Sequence, residues 1–280
     1  MPTTPNSPII KMIATDLDGT LLRDDKTISP ENIAAIQQAV SQGIIVVIAS
    51  ARPPRGVRSY YETLNLDTIQ INYNGAAHYD MIRQQFTKHL PLNPQFTRAI
   101  VDLAREVDPD VCVSLEVQDK WYTDRVDENL LVETAKQFGP DLVAHLDEIF
   151  HEPVTKLMLL APPDRLKPIH TQVRETFGNQ IAIHQSDDHL IQIVDPAVDK
   201  EHAVREVAEY YNIARENVMC IGDAQNDEGM IRWAGLGIAV ENAWPDTKAI
   251  ADQIVPSNQN HGVAHAIQKY ALQHQAPPCI

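Results

Sequence analysis

An apolar run, Ile9 to Ala14, closes on Thr15-Asp16-Leu17-Asp18-Gly19-Thr20. A short apolar run that ends in a turn reads as a buried strand, so both carboxylates stand at its C-terminal tip. In open α/β sheets that edge is where ligands bind. Gly19 tolerates the backbone angles of a sharp bend. Two acids meeting there suit a divalent cation or an acid/base pair.

The stretches on either side of the centre alternate strand and helix. Ser29 reads as an N-cap with Pro30 behind it; Ile33, Ile36 and Val40 follow at helical spacing, and Gly43 ends the helix. Ile44 to Ala49 is almost wholly apolar, as in a parallel strand covered on both faces. A helix is predicted over Arg55 to Leu64 and a strand over Thr68 to Ile71, before Asn74-Gly75. The pattern returns late in the chain: helix Lys200 to Tyr211, strand Val218 to Ile221, helix Asp227 to Ala234, strand Gly237 to Val240, helix Asp246 to Ala251, strand Ile254–Val255, helix Gly262 to Leu272. This is the βαβ pattern of an α/β, doubly wound, Rossmann-like parallel sheet.

Between the two halves lies an insert from about Arg83 to His189, about 107 residues, the size of a small domain. Strand-like runs (Val111 to Val117, Lys156 to Leu160, and Leu190 to Val194 at the return) mix with helical stretches around Phe96–Val107, Leu130–Phe138 and Leu166–Phe177. An α+β domain with an antiparallel sheet is predicted. The expected division is 1–82 with 190–280 as core, and 83–189 as an inserted cap.

With 280 residues, 44% of them hydrophobic, the chain can bury a large core. A net charge of −15 argues against binding nucleic acid or an anionic membrane surface. It also means that an anionic substrate must be met by local cations. Met1 to Pro8 has no basic residue and no long apolar stretch, so a secretory signal is not expected, and no window has the length of a membrane span. Cys112, Cys220 and Cys279 are scattered without metal-ligand spacing. The expectation is a soluble cytoplasmic protein.

Two further strand tips and one helix start carry polar groups. Ser50-Ala51-Arg52-Pro53 follows the second strand; taken alone Ser50 is a simple N-cap, but a hydroxyl opening into a helix can also hold a phosphate oxygen. Lys200 opens a helix at the end where the macrodipole disfavours a cation. Gly222-Asp223-Ala224-Gln225-Asn226-Asp227 sets several oxygen ligands after a later strand. Asp-x-Asp-Gly-Thr, then Ser, Lys and Gly-Asp-x-x-Asn-Asp in this order, resemble the four motifs of the haloacid dehalogenase superfamily of phosphoryl-transfer enzymes. Asn74-Gly75-Ala76, the run Gly237 to Ala243 and the run Pro256 to Ala264 resemble its Cof-type branch, whose insert is a C2-type cap. The departures are mild: Ala51 and Glu201 where relatives commonly have Gly, Val240-Glu241 for Met-Gly, and His261 for an acid.

The resemblance implies Mg²⁺-dependent hydrolysis of a small phosphate monoester, a sugar phosphate or similar metabolite. Asp16 would attack phosphorus and form an aspartyl-phosphate. Asp18 would protonate the leaving oxygen and then activate water, which requires an upward pKa shift. Side chains of Asp16 and Asp223 with the backbone carbonyl of Asp18 would hold the metal, supported by Asp227. Ser50, the N–H groups of Ala51 and Arg52, Lys200 and Asn226 would surround the phosphate. A carboxylate about 4 Å from a phosphate dianion is repelled by roughly 8 kcal/mol at an effective dielectric near 20, so these cations are required. The cap would read the group that carries the phosphate. Two alternatives stay open: phosphotransfer to a second sugar hydroxyl, and a catalytically silent binding or regulatory protein.

Other features carry weaker readings. His184-Gln185-Ser186-Asp187-Asp188-His189 suits a polar hairpin better than a metal site, and His261 and His265 lack the Glu of a zinc-protease motif. Trp121-Tyr122 suits packing better than a substrate pocket.

Overall fold

The structure, a computed structural model, describes residues 9–130 and 137–272. In chain order its first elements are β1 (Met12–Thr15), α1 (Pro30–Ser41), β2 (Ile45–Ile48), α2 (Arg55–Leu64), β3 (Ile69–Asn72), β4 (Ala77–Asp80) and β5 (Gln85–His89). There follow α3 (Pro94–Val107), β6 (Cys112–Val117), β7 (Lys120–Thr123), β8 (Leu142–Val143), β9 (Lys156–Leu160), α4 (Pro163–Phe177), β10 (Ala182–Asp187) and β11 (Leu190–Val194). The last are α5 (Lys200–Tyr210), β12 (Val218–Gly222), α6 (Glu228–Trp233), β13 (Leu236–Val240), α7 (Pro245–Ile250), β14 (Gln253–Val255) and α8 (Gly262–Ala266). The chain divides into two compact units, Met1–Gln85 with Asp199–Ile280, and Phe86–Val198. Among the described residues no helix is long and apolar enough to cross a membrane.

In the first unit the sheet order is β14-β13-β12-β1-β2, every pair parallel. A parallel bridge, Ala49 to Ile71, carries the order on towards β3. The chain therefore winds outward from β1 in one direction and from β12 in the other. Winding reverses between β1 and β12, and the crevice at such a switch point is the ligand site of doubly wound folds. Register sets Thr15 beside Ile221, so Asp16 and Gly222 leave the sheet side by side.

The apolar runs look continuous because alternate residues feed opposite cores. Ile13, Val46, Ile48, Met219 and Ile221 pack with α1, α2 and α8 on one face, through Ile36, Val57, Tyr61 and Val263. Met12, Ala14, Val47, Ala49, Val218 and Cys220 pack with α5 and α6 on the other, through Val204, Val207 and Met230. Ser29 caps α1 as expected, its side chain accepting from the Asn32 N–H, with Pro30 in the first turn. The helix expected over Gly262 to Leu272 instead changes winding: α8 gives way at Ile267 to a wider π turn that runs to Ala271.

The second unit is a sheet of order β10-β11-β9-β6-β7-β8, antiparallel except for β7 with β8. On one face α3 and α4 cover it, Ile100, Ala104, Leu166, Ile169 and Val173 packing on Val113, Leu115, Leu159, Ile191 and Ile193. Cys112, Trp121, Met158, Leu160 and Leu190 cluster on the opposite residues of the strands together with Leu130, so Trp121 is packed in that cluster. His184 to His189 is the β10–β11 hairpin, with His184 opposite Gln192. Residues 131–136 of the helix expected over Leu130–Phe138 lie outside the described residues, as does the tail with Cys279.

One boundary moves. Leu190 to Val194, expected at the start of the returning core, is β11, bonded to β10 on one edge and β9 on the other. The second unit therefore ends at Val198 rather than His189, and it opens at Phe86 rather than Arg83. An alternating apolar run announces a strand but not the sheet that receives it.

Candidate active site

Asp16 is the first residue beyond β1, and its N–H donates to the Ile221 carbonyl at 2.9 Å. Its carboxylate meets Lys200, whose Nζ donates to Asp16 Oδ1 at 2.6 Å and to Asp227 Oδ1 at 2.7 Å. Lys200 opens α5, where the Asp199 side chain accepts from the Glu201 and His202 N–H groups. The capping carboxylate serves the helix terminus, while the lysine turns inward with its side chain wholly buried. Burial opposes an ammonium charge, but the carboxylates of Asp16 and Asp227 outweigh it and push the Lys200 pKa up.

The turn after β12 is held by Asp227, fully buried. Its Oδ2 accepts from the Asp223 N–H at 3.0 Å and the Ala224 N–H at 3.1 Å. Gly222 is required here, because a Cβ would lie 2.5 Å from that of Asp227. Asp223 Oδ1 accepts from Thr20 Oγ1 at 2.7 Å, tying the two strand tips together. Gly19 has φ +85°, and a Cβ there would sit 2.6 Å from Asp223 Oδ2. Asn242 Nδ2 donates to the Gly19 carbonyl at 2.7 Å, and the Asn258 N–H donates to Asn242 Oδ1 at 2.9 Å. The later family-like stretches thus brace the first acidic loop.

Oxygens of Asp16, Asp223 and Asp227 lie within 4.8 Å of one another. Three carboxylates face one ammonium. Burial, with the charges of Asp227 and Asp223, pushes Asp16 well above the usual carboxylate range despite Lys200. Asp223 is pushed up to about 6, chiefly by burial, with Asp227 adding and Thr20 opposing. An all-oxygen cluster short of positive charge fits a hard divalent cation. Asp227 already spends one oxygen on Lys200 and the other on two N–H groups, so it braces the cluster.

Asp18 departs from expectation. Arg52 Nε donates to its Oδ2 at 2.7 Å, Arg52 Nη2 to its Oδ1 at 2.7 Å, and Lys26 Nζ to Oδ1 at 2.9 Å. Burial raises its pKa, but the hydrogen bonds and charges of Arg52 and Lys26 more than reverse this and hold it below the usual range. The upward shift expected of a proton donor is absent, because a bidentate guanidinium stabilises the carboxylate form.

The expected phosphate ligands are partly committed to one another. Ser50 is buried, and its Oγ accepts from the Arg52 N–H at 3.1 Å. Arg52 thus spends its backbone on Ser50 and its side chain on Asp18; neither is free for phosphate as expected. Its Nη1 lies 3.4 Å from both the Gly56 carbonyl and Tyr60 Oη. Ala51 is exposed beside it. Asn226 is exposed and donates to Asn74 Oδ1 at 3.1 Å, while the Asn74 N–H donates to the Ser50 carbonyl at 2.9 Å. Sequence reasoning missed Lys26 and Tyr60 altogether and gave Thr20, Asn74, Asn242 and Asn258 no task. Their place in family-like stretches was a signal for the last four; nothing marked the first two.

A sequence model of the haloacid dehalogenase-like hydrolases matches residues 13–267. The chain belongs to that family. It is 30% identical over 262 residues to the 5-amino-6-(5-phospho-D-ribitylamino)uracil phosphatase YitU of Bacillus subtilis, covering 92% of this chain and 97% of that protein. The phosphatase of the same description YcsE, also from Bacillus subtilis, is 31% identical over 263 residues, covering 94% of this chain and 96% of that one. Among solved structures, a haloacid dehalogenase-like hydrolase of Bacteroides thetaiotaomicron superposes with a TM-score of 0.84 at 26% identity, covering 93% of this hydrolase and 99% of the other. TM0651 of Thermotoga maritima gives 0.84 at 25% identity, with 97% and 99% covered. The Cof-type resemblance read from the motifs and the α/β fold are both borne out.

Proposed function

We propose that this hydrolase is a Mg²⁺-dependent phosphatase acting on a small phosphorylated metabolite through an aspartyl-phosphate at Asp16. The observation that carries it is the Asp16 carboxylate at a strand tip, 2.6 Å from a buried lysine and grouped with Asp223 and Asp227. Lys200 engages Oδ1 of Asp16 and so leaves Oδ2 to attack phosphorus. Asp16, Asp223 and the Asp18 carbonyl are the groups that would hold Mg²⁺, with Asp227 behind them. When bound, the ion offsets the repulsion between carboxylate and phosphate.

In the first half, an Asp16 oxygen bonds to phosphorus as the ester oxygen leaves and takes a proton from Asp18. In the second, Asp18 takes a proton from water; the water oxygen bonds to phosphorus, the Asp16–phosphorus bond breaks, and phosphate departs. The contacts of Asp18 with Arg52 and Lys26 favour its carboxylate form, which is the form that the second half needs. For the first half its contacts with Arg52 and Lys26 must loosen as the substrate enters, so that it can carry the proton. Ser50, the Ala51 N–H and Asn226 would meet the non-bridging oxygens once substrate competes for them. The relatives named as phosphatases of a phosphorylated ribityl compound support the phosphometabolite class.

The test is a panel of phosphate monoesters at saturating Mg²⁺, read by inorganic phosphate release. Release from several members is expected. Isomerisation of sugar phosphates without release would select phosphotransfer, and no turnover of any ester with Mg²⁺ bound would select a silent binding protein.

A further inference from the structure

Lys26 is a cation at this site that contacts Asp18 and to which the proposed chemistry gives no contact with the substrate. It lies in the short turn between Arg23 and Thr27, closed by the Arg23 N–H to the Thr27 carbonyl at 2.9 Å and the Lys26 N–H to the Arg23 carbonyl at 3.0 Å. Its φ is +65°, a left-handed conformation that glycine adopts freely and lysine seldom does. The Lys26 carbonyl accepts from Tyr60 Oη at 3.2 Å, which fixes the turn against α2. A cation held in an unfavoured backbone conformation, with its tip 2.9 Å from Asp18, is a built arrangement rather than a loose surface charge.

Charge counting shows what it is for. Arg52 alone satisfies both oxygens of Asp18 and offsets its charge, and Arg52 is committed on every side. Its side chain is only 11% exposed, whereas that of Lys26 is 41% exposed. An ammonium has three N–H donors, and Asp18 takes one. Lys26 is thus a second cation on an already neutralised carboxylate, with donors to spare and access to solvent. It stands on the side of Asp18, the group that hands its proton to the leaving oxygen. Lys200 lies beside Asp16, where the phosphoryl group would be transferred.

We infer that Lys26 binds a second negative charge on the leaving group, so that the site favours phosphate esters carrying a carboxylate or further phosphate close to the ester oxygen. This rests on the phosphatase reading above. It also places part of the substrate selection in the first unit, where the motifs alone suggested that only phosphate is read.

The probes are glycerol 3-phosphate and 3-phosphoglycerate, which differ in a carboxylate near the ester. Each is measured as a competitive inhibitor of p-nitrophenyl phosphate hydrolysis, and as a substrate where it turns over, with wild type, Lys26→Gly and Lys26→Arg. Gly relieves the positive φ while removing the ammonium, so the variant should melt no lower than wild type. A charge-assisted hydrogen bond predicts that Lys26→Gly weakens 3-phosphoglycerate relative to glycerol 3-phosphate by about tenfold. Lys26→Arg should keep the wild-type ratio. An unchanged ratio in Lys26→Gly overturns the inference; so does an equal loss on both probes and on p-nitrophenyl phosphate, which would assign Lys26 to the phosphoryl group or to Asp18. If wild type hydrolyses no ester at all, it is the phosphatase reading that fails.

Discussion

Arg52 grips Asp18 at two points, Nε to Oδ2 and Nη2 to Oδ1, each 2.7 Å long. The pair joins two strand tips that are 34 residues apart in the chain. It fixes both where the Asp18 carboxylate points and which protonation state it favours.

Replacing Arg52 by Lys keeps a charge but loses the planar fork that holds both oxygens. Misplacement of a reacting group by about 1 Å costs on the order of a hundredfold. Turnover of Arg52→Lys should therefore fall by about 10–100-fold while KM changes little. A rise in KM alone would show that Arg52 binds phosphate instead of positioning Asp18.

Asp16→Asn should lose turnover by about 10⁴-fold or more, the scale seen on removing a nucleophile. Melting temperature should hold or rise, because one of three clustered carboxylates has lost its charge. Retention of substantial phosphate release would move the nucleophile elsewhere.

Lys200→Ala leaves Asp16 and Asp227 buried without their shared cation. Breaking such a pair costs about 3–5 kcal/mol. Both stability and turnover should drop, with turnover falling even at saturating substrate. A variant that only raises KM would place Lys200 outside the chemistry.

Exhaustive chelation should abolish phosphate release, and Mg²⁺ should restore it. Ca²⁺ should inhibit, since its looser and larger coordination shell disturbs in-line geometry. Full activity after chelation would remove the metal from the mechanism.

In the second unit, Asp108 ends α3 and accepts from Arg165 Nε at 2.8 Å. The hydrogen bond from Arg165 is the main cause holding its carboxyl below the usual range. A carboxylate whose folded pKa is depressed adds stability above its unfolded value near 3.9, and that stability disappears as pH falls through the folded pKa. Asp108→Asn should thus lower the melting temperature by about 2–4 °C at pH 7, with the difference closing towards pH 3. A difference that is the same at both pH values would show packing rather than charge at this contact.

The alternation of apolar runs with capped helices was legible in the order of the residues, because period and punctuation are local. Lys156 to Leu160 and Leu190 to Val194 form strands at the expected residues. The sheet that received the second of these was not legible, since its hydrogen-bond partners come from elsewhere in the chain. By itself the sequence determined the parallel core, the strand tips that carry Asp16, Ser50 and Asp223, and the lysine at the head of α5, because apolar period and turn residues are local. Tertiary structure alone decided how the charges are paired and which way each pKa moves. Lys200 is buried between two carboxylates, Asp223 is raised, and Asp18 is lowered where the motif implied the reverse. The reason is physical: a carboxylate's pKa depends on burial and on charges within a few ångströms. Arg52 and Lys26 reach Asp18 only after the chain has folded.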